Sequence, residues 1–419
     1  MSYASHLQCT RCARRYPLDT PMNLCPEDGR PVEIIIDTTR LRDELPALGW
    51  YRPKVASMWR FGALLPLDIG HADERQVIVT AGEGHTPLLS LASHPLARRH
   101  AIELRLKDEG QPHAGFGANP TGSFKDRGMS MVASQARRLG IGKLVVPTQG
   151  NAGDSLADYA LRAQIEVAVI MPDDTPMPIL GRVAALARQH PGVTLELVSG
   201  TIREAAELMR EKYLPMGYFN VATFQEPGWR IEGKKTLGLE LAEPAPGDDG
   251  PWSLPDAVLY PTGGGTGILG MWKAFDELQA LGLIGSERPR MIAVQSAQTA
   301  PVADAFTRGA DEPGPVTPGA TLATGLNVPG GVGHPRVLEI VRQSGGGAVA
   351  VSEEDIASNL QTVYRDHGIW ICPEGAAAVA AITPAVEQGW INSGDTVVAF
   401  NTGSFEKYLP EVRHLIFGL

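Results

Sequence analysis

The stretch TGSFKDRGMSMVASQARRLGIGKLVVPTQGNAGDSLADYALRAQIEVAVIM (121–171) decides the architecture. It reads as a helix over 123–139, a strand at 143–148, a helix over about 152–163 and a strand at 165–171. Strand–helix repetition at this period predicts a parallel sheet with helices on both faces. The rhythm runs outward to IELRLKD (102–108), to a helix over about 178–189 and to TLELVSG (194–200). A second series begins with AVLY near 257, continues through RMIAVQS (290–296) and ends in DTVVAFNTGS (395–404). Between the two, PAPGDDGPWSLPD (244–256) breaks the pattern, and 308–320 is a surface loop rich in Gly, Pro and acid. No internal repeat of solenoid length is present.

At 419 residues the chain exceeds one ordinary core, so two large domains are expected. A formal net charge of -10 and the lack of a basic tract argue against nucleic acid as a partner. No apolar run reaches bilayer length, so no membrane association is expected, and MSYASHLQCTRC (1–12) lacks a signal-peptide layout. Four cysteines in so long a chain are not a disulfide framework, and a reducing cytoplasm is the default. Three of them cluster early: Cys9 and Cys12, then Cys25 followed by Asp28. These four residues suit a tetrahedral Zn2+ site in a ribbon-like segment, with Asp28 where a fourth thiolate would stand. A ribbon that kept its shape and lost its metal fits the same spacing.

Four strand-end motifs carry the chemistry. In NPTGSFKDRG (119–128), Lys125 falls in the first turn of a helix, where the helix field disfavours its charge. A neutral amine there can form a Schiff base with an aldehyde cofactor. Gly263, Gly264, Gly265, Thr266 and Gly267 follow the AVLY strand and open a helix, a placement that suits a phosphate. The spacing fits neither a Walker loop nor a dinucleotide fingerprint. Thr148, Gln149, Gly150, Asn151 and Ala152 occupy another strand-to-helix junction, where backbone N–H groups can hold a substrate carboxylate. A plain cap by Asn151 is the simpler reading of that junction. Thr402, after the last strand, can offer a hydroxyl to a pyridine nitrogen.

These motifs, in this order, resemble those of fold-type II pyridoxal 5'-phosphate (PLP) enzymes. EGHTPL (83–88), NPTGSFKDRG (119–128), RIEGKKT (230–236), ATGL (323–326) and PEGAA (373–377) look most like threonine synthase. The resemblance implies an α/β fold of two domains with parallel-rich sheets flanked by helices, plus the N-terminal zinc-ribbon-like segment. The implied divisions are 1–38 for that segment, 39–118 with 226–419 for a large PLP-binding domain, and 119–225 for a small mobile domain. It also implies PLP on Lys125, with Phe124 beside the ring, Asn151 at the phenolic oxygen and Thr402 at the pyridine nitrogen. Gly263 to Gly267 would take the cofactor phosphate and Arg230 the phosphate of a small amino-acid substrate, and the chain would form a homodimer. The implied reaction turns O-phosphohomoserine into threonine and phosphate. Gln149 and Ala152 depart from the hydroxyl residues usual around this Gly-Asn, and the loop 111–118 is longer than usual. Those departures favour an alternative, β-elimination or β-replacement on a hydroxy amino acid. A PLP-binding protein without activity is a third reading, disfavoured by retention of Lys125, Asn151 and Thr402.

Overall fold

The computed structural model describes residues 2–44, 49–245 and 250–417, and all statements of number or absence below refer to these. Positions 246–249 of the expected interruption lie outside the described residues. The chain forms two compact units, Met1–His85 with Asn119–Thr236, and Thr86–Ala118 with Leu237–Leu419.

The first unit holds two sheets. Near the N-terminus, Ala4–Cys9 pairs antiparallel with Arg15–Tyr16 on one side and Val32–Ile36 on the other. The second sheet is wholly parallel, in the order Val193–Val198, Glu166–Pro172, Lys143–Pro147, Phe219–Asn220. Its central strands, KLVVP and EVAVIMP, are apolar without alternation because helices cover both faces. Val145, Ala168 and Ile170 pack there against Ala205, Met209 and Tyr213. The helices Lys125–Arg138 and Asn151–Ala163 bury most of their small and apolar residues, which fits the same demand.

The second unit is built on one six-stranded sheet. Its order is Gly347–Val351, Arg290–Ser296, Ala257–Pro261, Thr396–Asn401, Glu103–Asp108, Leu88–Ser90. Only the last strand runs antiparallel to its neighbour. The core joins Leu104, Leu106, Leu259, Ile292, Val397 and Ala399 to the buried helix Pro373–Ala380. Strand order reverses at Ala257–Pro261, which has a sequence-later strand on each side. Ligands of open α/β sheets bind outside the carboxyl ends of strands at such a switch point. No described helix is long and apolar enough to cross a membrane.

Candidate active site

The carboxyl end of Ala257–Pro261 leads directly into Gly263–Gly267. Gly265 caps the helix Thr266–Ala280 with φ 83°, a left-handed conformation. A Cβ on Gly265 would lie 2.5 Å from the Val337 side chain, and one on Gly263 would lie 2.6 Å from the Gly325 carbonyl oxygen. A Cβ on Gly267 would lie 2.1 Å from the Tyr260 hydroxyl oxygen. The loop is therefore closed to side chains. The N–H groups of Gly263, Gly264 and Gly265 donate to no group among the described residues. Unspent N–H groups at a helix N-terminus are what an anion requires. His334 Nε2 lies 2.7 Å from the Gly263 carbonyl oxygen and donates to it. Burial holds this imidazole below its ordinary pKa, so it acts as a neutral strut.

The neighbouring strand Thr396–Asn401 delivers Thr402, which is buried beside Cys372. Asn401 ties the strand end together: its Oδ1 accepts from Cys372 N at 3.0 Å and its Nδ2 donates to Asp108 Oδ1 at 2.8 Å. Burial raises both the Cys372 thiol and the Glu374 carboxyl. Glu374 accepts from Gly325 N at 2.8 Å and leaves Oε2 without a partner among the described residues. The structure thus brings the glycine loop and Thr402 to the ends of adjacent parallel strands.

In the other unit, the turn before Lys125 is pinned by Asp126. Thr121 donates to it through both N–H (2.7 Å) and hydroxyl (2.6 Å). Ser155 adds a third bond at 2.6 Å, tying the Lys125 helix to the Asn151 helix. Phe124 stands at the helix entrance. The half-buried Lys125 Nζ lies 4.3 Å from its ring centroid and the buried Lys234 Nζ lies 4.1 Å from the same centroid. Lys234 also donates to the Phe124 carbonyl oxygen. The two helices meet at glycines: a Cβ on Gly233 would lie 2.1 Å from the Arg127 carbonyl oxygen.

At the next strand end, Thr148 Oγ1 accepts from Gly150 N at 3.0 Å and Gly153 N at 3.3 Å. Gly150, not Asn151, is the cap residue, with φ 133°. Gln149, Asn151 and Ala152 are half-buried around it. Arg230 is not joined to this cluster. Its guanidinium donates to the Val221 carbonyl oxygen and, at 3.2 Å, to Thr223 Oγ1. Its buried Nε has no partner among the described residues. Glu226, one turn earlier and fully buried, is pushed up to about 7 by burial.

The early cysteines converge. One ligand atom from each of Cys9, Cys12, Cys25 and Asp28 lies within 4.8 Å of the others. Cys9 Sγ is 3.4 Å from Asp28 Oδ1 and accepts from Arg11 N at 3.4 Å.

Sequence reasoning assigned no role to His334, Asp108, His113 or Lys234. Lys234 stood within a quoted motif and His113 lies five residues from its partner Asp108, while Asp108 to Asn401 and His334 to Gly263 are long-range contacts that no local spacing announces.

A lysine at a helix entrance and, in the other unit, an unspent glycine cradle at a sheet switch point are each features of cofactor-dependent enzymes. The chain belongs to the family of pyridoxal-phosphate dependent enzymes, which matches residues 79–403. It is a threonine synthase-like member. The threonine synthase of Methanocaldococcus jannaschii is 30% identical over 397 residues, covering 94% of this chain and 91% of its own. That of Methanosarcina acetivorans is 31% identical over 408 residues, covering 96% and 92%. Among solved structures, diaminopropionate ammonia lyase of Escherichia coli matches with TM-score 0.62 at 15% identity, covering 88% of this chain and 96% of that one. Threonine deaminase isoform 2 of Solanum lycopersicum matches with TM-score 0.60 at 23% identity, covering 80% and 89%. The two shape matches speak to fold alone.

Proposed function

We propose that the chain converts O-phosphohomoserine and water into threonine and phosphate, with PLP as cofactor. The observation that carries the cofactor assignment is the Gly263–Gly267 cradle, whose three leading N–H groups are unspent and whose side-chain space is closed. These residues fit a phosphate. PLP, when bound, supplies the electron sink that lets a proton leave the amino-acid α-carbon.

The chain's own residues do the rest. Lys125 would hold the cofactor covalently and would then serve as the base at the α-carbon. The Asp126 bonds to Thr121 and Ser155 fix the turn that aims it. With PLP bound, Phe124 would pack beside the ring, Asn151 would donate to the phenolic oxygen and Thr402 would offer its hydroxyl to the pyridine nitrogen. A hydroxyl there, unlike a carboxylate, would leave that nitrogen unprotonated. Thr148, Gln149, Gly150 and Ala152 border the substrate carboxylate. Arg230 Nε is an unspent buried donor, which supports its assignment to the substrate phosphate.

The test is phosphate release and threonine formation from O-phosphohomoserine by PLP-loaded protein, with serine and threonine run in parallel. Equal amounts of phosphate and threonine are expected. Ammonia and keto acid from the hydroxy amino acids, without phosphate, would favour β-elimination instead.

The Cys9, Cys12, Cys25 and Asp28 cluster supports a second reading, a Zn2+ ion that staples the small antiparallel sheet. Metal analysis of the purified protein should find about one zinc per chain, lost in Cys12→Ser. We place the protein in the cytoplasm, where these thiols stay reduced, and propose a homodimer, to be read from its mass in solution.

A further inference from the structure

Two turns near the N-terminus, both in the first unit, are built alike. In one, Cys9 N donates to the Arg14 carbonyl oxygen at 2.9 Å, and Ala13 takes a left-handed φ of 57°. In the other, Cys25 N donates to the Arg30 carbonyl oxygen at 2.8 Å, and Gly29 takes φ 66°. Each turn opens on a cysteine, bends at its fifth residue and closes on its sixth. Cys12 and Asp28 hold the same fourth place, so Asp28 stands where the first turn has a thiol. Ala13 makes its bend at a steric cost that glycine avoids.

The distances fit a tetrahedral ion. Metal–sulfur bonds of about 2.3 Å and a metal–oxygen bond of about 2.0 Å put two sulfurs about 3.8 Å apart, and a sulfur and an oxygen about 3.5 Å apart. Cys12 Sγ lies 3.8 Å from Cys25 Sγ, and Cys9 Sγ lies 3.4 Å from each Asp28 carboxylate oxygen. Three thiolates and a carboxylate outweigh the charge of one divalent ion, and donors outside the ligand set offset the excess. Arg11 N donates to Cys9 Sγ at 3.4 Å, and Arg30 N donates to Asp28 Oδ1 at 3.1 Å. Cys25 has a side-chain partner, for Tyr16 Oη lies 3.1 Å from its sulfur. A metal-bound thiolate carries no hydrogen, so there Tyr16 is the donor. Its hydroxyl meets no other group among the described residues. Tyr16 leaves the first turn on strand Arg15–Tyr16, opposite Leu7, and reaches the cysteine that opens the second. One phenol thus ties the two turns together.

We propose that Tyr16 is a positioning residue of a divalent-metal site at Cys9, Cys12, Cys25 and Asp28: it donates to the Cys25 thiolate and strengthens the site's hold on the ion. The inference rests on the Zn2+ reading given above. It adds a residue that the sequence did not single out, one that serves the ion without binding it.

Two measurements on the PLP-loaded full chain test it. In the first, zinc is withdrawn by a chromophoric chelator of known affinity. Tyr16→Phe should hold zinc about tenfold to a hundredfold more weakly than wild type, the usual cost of losing a hydrogen-bond partner of a metal ligand. In the second, cobalt takes the place of zinc, and the difference spectrum between cobalt-loaded and metal-free protein is recorded. Loss of the hydrogen bond raises the energy of the sulfur lone pairs. The sulfur-to-cobalt charge-transfer band of Tyr16→Phe should therefore move to longer wavelength. An unchanged zinc affinity overturns the proposal. So does a weaker affinity with an unmoved band, because that result assigns Tyr16 to packing alone. Wild-type protein that takes up neither ion overturns the metal reading itself and the proposal with it.

Discussion

Two glycine turns follow parallel strands in this molecule, and they are spent differently. The Gly150 turn closes on itself, because Thr148 Oγ1 takes the N–H groups of Gly150 and Gly153. The Gly263–Gly267 turn spends none of its three leading N–H groups, and His334 braces it through a carbonyl oxygen instead. The first turn spends two N–H groups on Thr148 and presents the side chains of Asn151 and Gln149 beside the backbone that remains. The second presents backbone, which is what a phosphate needs. A glycine-rich strand end is therefore not one kind of site, and the hydrogen bonds within the turn decide which kind it is.

Perturbing each turn should sharpen that contrast. The largest effect is expected from Lys125→Ala, which removes the covalent anchor and the base. Turnover should fall at least about a thousandfold, with loss of the visible absorption band of the bound cofactor. Next comes Gly265→Ala. Its φ of 83° and the 2.5 Å approach to Val337 should distort the cradle and weaken PLP at least about tenfold, measured by cofactor titration. Thr148→Val, in the contrasting turn, should leave PLP affinity within about threefold and cost about 1–2 kcal/mol of stability, read from denaturant unfolding. Equal losses of PLP affinity in these two variants would erase the distinction.

The last effect concerns Glu226, whose carboxyl burial raises from 4.5 to about 7. An acid with a raised folded pKa contributes stability that is complete below its unfolded pKa. That contribution is lost as pH rises through the folded pKa. Thermal stability should therefore decline between about pH 4.5 and 7 in wild type, and decline less in Glu226→Gln.

The parallel strands were legible because their burial on both faces leaves an unbroken apolar run. RMIAVQS is the strand Arg290–Ser296, and the helix expected over 178–189 spans Met177–Gln189. The glycine cradle was legible from its position after AVLY. Less legible were Leu88–Ser90 and the two-residue Phe219–Asn220, too short to show a period. Gly347–Val351 follows a glycine run that reads as a turn. The struts of the site were hidden for another reason. Asp108 meets Asn401 and His334 meets Gly263 only after the sheet has formed, so neither pairing leaves a mark in local spacing.

Two lysines flank the Phe124 ring, Lys125 at 4.3 Å and Lys234 at 4.1 Å. The most direct test of the account is to reduce the PLP-loaded protein with borohydride, which fixes the cofactor to the amine that holds it, and to map the labelled peptide by mass spectrometry. Label on Lys125, and none in Lys125→Ala, is the predicted result. Label on Lys234, or on no lysine at all, would contradict it.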